Sequence, residues 1–126
     1  MKAALDSNRP IYIQIKEMIE EDILNGRLAP DEQIPSNSQL VSHYNINPVT
    51  VLKGINLLVD EGIIYKKRGL GMYVSPDAPE KLKKRFSQAF IKEQIEPLTA
   101  LAKPLGFSLQ EIHEMIDSAW KGEKND

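Results

Sequence analysis

The sequence predicts a mostly helical chain with one small β-hairpin, an α+β fold in two parts. Three observations carry this. Apolar residues recur at helical spacing in successive stretches whose ends bear capping signals. The stretch "IIYKKRGLGMYV" at 63–74 places β-branched and aromatic residues on both sides of a glycine pair, the pattern of a hairpin. "SPDAP" at 75–79 then reads as a hinge between this unit and a second amphipathic region. The expected division is a unit at 1–76 and a tail at 77–126.

The elements follow in order. In "PIYIQIKEMIEEDILN" (10–25), Ile11, Ile15, Met18, Ile19 and Ile23 share a helical face. Pro10 marks the start of that helix and Gly26 its end. "RLAPDEQIP" reads as an extended connection between two prolines. Ser36, with Gln39 three residues on, forms a capping box that opens a short helix, and Asn45 is suited to the left-handed conformation that ends it. Asn47 caps the next helix, Pro48 takes its first position and Gly62 terminates it. Val51, Ile55, Leu58 and Val59 form its apolar stripe. Two helices joined by so short a turn make a helix-turn-helix, and the hairpin that follows makes it winged. In the tail, Leu82, Phe86, Phe90, Leu98 and Leu101 line a helical stretch that Pro97 should kink or break. Gly106 stops it, and Ser108 with Glu111 opens a last helix carrying Leu109, Ile112, Ile116, Ala119 and Trp120. These two helices display more apolar surface than a short helical pair covers by itself. A second copy of the chain is the expected cover, with Leu82, Phe86, Phe90, Leu98, Leu101, Ile112, Ile116 and Trp120 at the dimerisation face.

Composition limits the function classes. The 126 residues, 41% of them hydrophobic, suffice for one modest core. No apolar run approaches the roughly 20 residues that span a bilayer, so no membrane role is expected. "MKAALDSNRP" lacks the apolar core of a signal peptide, which points to the cytoplasm. The absence of cysteine excludes disulfides and thiolate chemistry. With two histidines, a zinc site would draw most of its ligands from carboxylates, and neither a metal nor a cofactor is expected. Asp60-Glu61 sits at a helix end facing solvent, and His43 and His113 are isolated, so no catalytic constellation emerges. The net charge of −2 says little, but its distribution is uneven: Glu17, Glu20, Glu21 and Asp22 are acidic, while "KKRG" (66–69) and "KLKKR" (81–85) are basic.

A proline-initiated helix with small exposed side chains in its first turn is suited to enter a DNA major groove. Asn47 and Thr50 can hydrogen-bond bases or phosphates, Val49 can meet a thymine methyl group, and Lys53 lies one turn later. Lys66, Lys67 and Arg68, followed by Gly69-Leu70-Gly71, give a thin positive loop that can approach a groove closely. A Gly-x-Gly pair alone is only a turn signal, and here the strand-turn-helix context of a mononucleotide-binding loop is missing.

From "PIYIQI" through "G-x-L-x-P", "IPS", "NPVTV" and "DEG" to "RGLGMYV", the chain resembles the DNA-binding domain of the GntR family of bacterial transcription regulators. The short tail resembles the YtrA subfamily. The resemblance implies a homodimer on an inverted-repeat operator, usually repressing its own operon, which in that subfamily often includes ABC transporter genes. It implies DNA contacts near Ser36 and Ser38, at Asn47, Pro48, Val49, Thr50 and Lys53, and on the wing at Arg68 and Gly69, to which the thin positive loop itself adds Lys67 and Gly71. Ser38 stands where the family usually has an arginine, Leu52 where a polar or basic residue is common, Met72 where threonine is common, and Asp31 in place of a turn glycine. Fewer charge-assisted contacts imply weaker affinity or an unusual operator.

Two other readings compete with a dimeric repressor. One is a winged-helix protein-interaction module without specific DNA binding, favoured by Ser38 and the near-neutral recognition helix. The other is a small-molecule sensor with Phe86, Phe90, Phe107 and Trp120 around an effector, although aromatics at helical spacing are more often core. For the repressor, a dimer would set two recognition helices about 34–36 Å apart, one helical turn of DNA. A change of angle at the 75–79 hinge would then mis-space them.

Overall fold

The computed structural model describes residues 4–123. Two compact units divide the chain, Met1–Lys84 and Arg85–Asp126. In the first, α1 (Ile11–Leu24), α2 (Asn37–Tyr44) and α3 (Pro48–Asp60) precede an antiparallel hairpin of β1 (Ile64–Lys67) and β2 (Gly71–Val74). Then come α4 (Ala78–Phe90), a π-helical turn (Ile91–Ile95), α5 (Glu96–Ala102) and α6 (Leu109–Trp120).

The core of the first unit is built from the apolar faces the sequence predicts. Ile15, Ile19 and Ile23 of α1, Leu40 of α2 and Val51, Ile55 and Leu58 of α3 are buried together with Ile64 and Val74 of the hairpin. α3 lies close enough to α1 that a Cβ on Gly54 would fall 2.6 Å from the Tyr12 carbonyl oxygen, so glycine is what this approach requires. Gln14, though polar, is buried, and its amide is fully used. It accepts from the Asp6 amide and donates to the Asp6 and Arg9 carbonyls, tying the segment before α1 to the helix. Lys16 bridges Glu20 at 3.0 Å and Glu61 at 3.2 Å, joining α1 to the end of α3.

The caps behave as their sequences predict. Ser36 and Gln39 form the capping box of α2, Asn45 ends it at φ +53°, and the Asn47 side chain accepts from the Val49 amide at the start of α3. The hairpin pairs Ile64 with Val74, Tyr65 with Tyr73, Lys66 with Met72 and Lys67 with Gly71.

Residues 31–34 are more ordered than an extended connection. Gln33 pairs with Tyr73 on the free edge of β2. The Asp31 and Ile34 amides donate to the Val74 and Met72 carbonyls, and the Val74 amide donates to Glu32. This covers an edge that would otherwise be left unpaired. Asp31 enters the pairing at φ +64°, in the left-handed region that a glycine would occupy without strain. Its carboxylate accepts a 2.7 Å hydrogen bond from the Tyr65 hydroxyl, which anchors the turn to β1.

One expectation changes, at Leu82, and two others become specific. The 75–79 segment, read as a hinge, is packed: Ser75 and Ala78 are buried, and the Ser75 amide donates to Ile63. Leu82, expected at the dimerisation face, is instead wholly buried and falls within the first compact unit. One turn beyond Ala78, it continues the same inward face of α4. At Pro97, expected to kink or break the helix, the regular α-helix is interrupted by a widened turn and helical structure then continues. The proline's missing N–H and its ring conflict with the preceding turn, and the helix widens just before it, with the Glu96 amide reaching back to Ile91. Pro97 then takes an early position in α5, where no intrahelical donor is needed.

In the second unit, Gly106 closes the turn after α5 and Ser108 with Glu111 form the capping box of α6. Phe90, Ile91, Leu101, Leu105, Leu109 and Ile116 are exposed, and Trp120 is 89% exposed.

Candidate nucleic-acid interface

The first turn of α3 faces solvent because its apolar stripe is inward. Val51, Gly54, Ile55 and Leu58 are buried, leaving Pro48, Val49, Leu52, Lys53 and Asn56 outward and Thr50 half-buried. Asn47 is committed through its oxygen to the cap. Lys53 is not extended into solvent: its ammonium sits 4.0 Å from the centroid of the Tyr12 ring on α1. Such a contact contributes about 0.5–1 kcal/mol at an exposed site, little enough for a phosphate to compete with it.

Ser36 and Ser38 are exposed at the start of α2, which leads into α3 through the short turn at Asn45. The Ser36 hydroxyl accepts from the Gln39 amide. Ser36 and Gln39 also line a cleft of about 450 Å³ with Leu28, Gln33, Ile34 and Pro35.

Gln33 links that cleft to the wing. Its amide donates to the Leu70 carbonyl at 3.0 Å, and the Tyr73 hydroxyl donates to the same oxygen at 3.2 Å. The Leu70 amide closes the turn onto Lys67 at 2.8 Å. The tip, Arg68-Gly69-Leu70, is therefore held from two sides. Gly71 completes the arrangement at φ +102°, with a hypothetical Cβ only 2.6 Å from the Gln33 amide nitrogen. No sequence pattern singles out Gln33, because its partner lies 37 residues away and the contact depends on strand pairing.

Lys66, Lys67, Arg68 and Gly69 are exposed along the wing, and Lys67 rests 4.3 Å from the Tyr73 ring centroid. The acidic residues of α1 are largely paired: Glu17 with Arg9, Glu20 with Lys16 and Asp22 with Arg27. The Tyr65 phenol is held above its ordinary range, first by its hydrogen bond to Asp31, then by partial burial and the Asp31 charge.

The predicted contact residues thus fall on three parts of one compact unit, namely the start of α2, the first turns of α3, and the wing. Phe86, Phe90, Leu98, Leu101, Ile112, Ile116 and Trp120 lie in the other unit, where Phe86 and Ile112 are half-buried and the rest are exposed. Among the described residues, no group of three or more His, Asp or Glu is placed to hold a metal ion, and no helix is long and apolar enough to cross a membrane.

The family model described as "Bacterial regulatory proteins, gntR family" matches residues 11–74, from α1 through β2. The chain is 36% identical over 124 residues to the HTH-type transcriptional repressor YtrA of Bacillus subtilis (strain 168), covering 95% of each. Its fold is similar, with a TM-score of 0.72 and 30% identity, to a putative transcriptional regulator of the GntR family from Bacteroides thetaiotaomicron, over 88% of this chain and 96% of that one. The DNA-binding domain of AraR, solved in complex with operator ORE1, is similar over 60% of this chain and 94% of that one, at a TM-score of 0.51 and 32% identity.

Proposed function

This chain belongs to the GntR family of bacterial regulatory proteins, and we propose that it is a cytoplasmic, sequence-specific DNA-binding repressor. It acts as a homodimer on an inverted-repeat operator of its own operon, which includes ABC transporter genes. One observation carries the reading. A capped, proline-initiated α3 presents its first turns outward in the same compact unit as a basic wing whose tip is pinned by Gln33 and Tyr73.

In this reading Ser36, Ser38, Asn47, Pro48, Val49, Thr50 and Lys53 meet the major groove and its phosphates, with Lys53 leaving the Tyr12 ring to do so. Lys67, Arg68, Gly69 and Gly71 bring the wing against the backbone or the neighbouring groove. The exposed apolar residues of the second unit, Phe90, Leu98, Leu101, Ile116 and Trp120, support a face that a second copy covers.

Fluorescence anisotropy tests this with DNA from upstream of the protein's own gene, against scrambled DNA, across a salt series. Selective binding that weakens steeply with salt is expected, and Arg68→Ala should lower the log–log slope by about 0.9 for each phosphate the variant no longer neutralises. Equal, weak binding to both DNAs, with no change on Arg68→Ala, would overturn the reading. Sedimentation of the intact protein checks the dimer, which Trp120→Asp should weaken.

A further inference from the structure

The outward face of α3 carries two exposed apolar side chains. Val49 is 72% exposed and Leu52 is 42% exposed. Three residues apart, they stand side by side on the helix, with the Pro48 ring beside them at its start. Two polar groups of the same turns rest on partners within the chain, and a third is half-buried. The Asn47 oxygen holds the cap, Thr50 is half-buried, and the Lys53 ammonium lies over Tyr12. The next exposed polar side chain on the helix is Asn56, a turn further on.

Purine-specific readout uses arginine or lysine on guanine and asparagine or glutamine on adenine, both through forked hydrogen bonds. Neither Val49 nor Leu52 can make one. What an apolar side chain recognises in the major groove is the C5-methyl group of thymine. The wing charges Lys66, Lys67 and Arg68 supply attraction to phosphates, which brings the helix to DNA without stating a sequence.

We propose that Val49 and Leu52 form an apolar reading head, so that the operator half-site is one whose affinity depends on thymine methyl groups. The inference rests on the DNA-binding reading above and adds the chemical class of sequence that is read. A polyanionic partner is favoured over a protein because the apolar pair belongs to the same compact unit as the exposed basic wing.

The test removes the methyl group alone. DNA bound by the full-length protein is selected from randomised duplexes, and each thymine of the selected half-site is replaced in turn by deoxyuridine. Removing one methyl at a contacted position should weaken binding about fourfold, with the salt slope unchanged because every phosphate contact remains in place. Val49→Ala and Leu52→Ala should each abolish the uracil sensitivity of one position and leave the other. Both side chains are exposed, so the fold should survive, and the deoxyuridine series itself needs no protein variant. Selective binding with no loss at any uracil position would overturn the apolar readout while leaving the regulator reading intact. Selection that yields no preferred sequence would overturn both and turn this face toward a protein partner.

Discussion

The wing tip offers a two-residue cycle in which the structure dictates non-additivity. Gly71 sits at φ +102°, and an L-residue forced there costs about 1–3 kcal/mol. Its new Cβ would also fall 2.6 Å from the Gln33 amide nitrogen. Gln33 is flexible enough to swing away, but doing so surrenders its hydrogen bond to the Leu70 carbonyl, about 0.5–1 kcal/mol net at an exposed site. Gly71→Ala should therefore cost about 1.5–4 kcal/mol. Gln33→Ala alone should cost only about 0.5–1 kcal/mol, since the Tyr73 hydroxyl still donates to Leu70. In the double variant the glutamine bond is already gone, so its removal is not counted twice. The coupling equals that bond, about 0.5–1 kcal/mol. Urea denaturation followed by far-ultraviolet circular dichroism measures all four proteins. Single effects that sum to the double within about 0.3 kcal/mol would refute the clamp, as would a Gly71→Ala protein as stable as the parent.

Other consequences are simpler to measure. Ile55→Ala removes a fully buried side chain between α1 and α3 and should destabilise by about 2–5 kcal/mol in the same assay. Asp31→Gly should leave stability within about 0.5 kcal/mol of the parent, because relief of a left-handed residue offsets the missing Tyr65 bond, whereas Asp31→Ala should cost about 1–2 kcal/mol. Tyr65, held above its ordinary value of 10.0, contributes stability that is intact below that value and is lost as pH rises through its raised one. An alkaline absorbance titration compared with Tyr65→Phe should show this late phenol, and Asp31→Asn should bring it down. Glu111 is held below its ordinary value of 4.5, first by the Ser108 amide and then by the Ser108 hydroxyl. Its contribution is present above that value and is lost as pH falls through the lowered one, so Glu111→Gln should remove that part of the acid sensitivity.

Local signals were the legible ones. Ser36 with Gln39, Asn45, Asn47-Pro48 and Ser108 with Glu111 each state a helix end through side-chain and backbone geometry confined to a few residues, and each end is found there. The hairpin was legible from its glycines and flanking β-formers. Contacts that depend on tertiary packing were not. The pairing of residues 31–34 with β2, the Gln33 clamp and the seat of Lys53 on Tyr12 join positions far apart in the chain. Leu82 and Ala78 share the periodicity of the tail helix, and periodicity cannot tell which unit buries a face. Pro97 was legible as a disturbance, but not the manner of its accommodation, since a helix can either stop or widen.

That widened turn at Ile91–Ile95 sets a limit on symmetry along the tail. Each residue of an α-helix advances by about 100° around the axis, so the surplus carried by a π turn throws the stripe before it out of phase with the stripe after it. Phe86 and Phe90 therefore do not continue into Leu98 and Leu101 as one uninterrupted seven-residue seam. A rope-like pairing of parallel helices cannot run through this point without a stutter. Whatever lies against the tail must match an apolar stripe whose phase shifts midway, and a single inserted or deleted residue here would reset the phase of everything downstream.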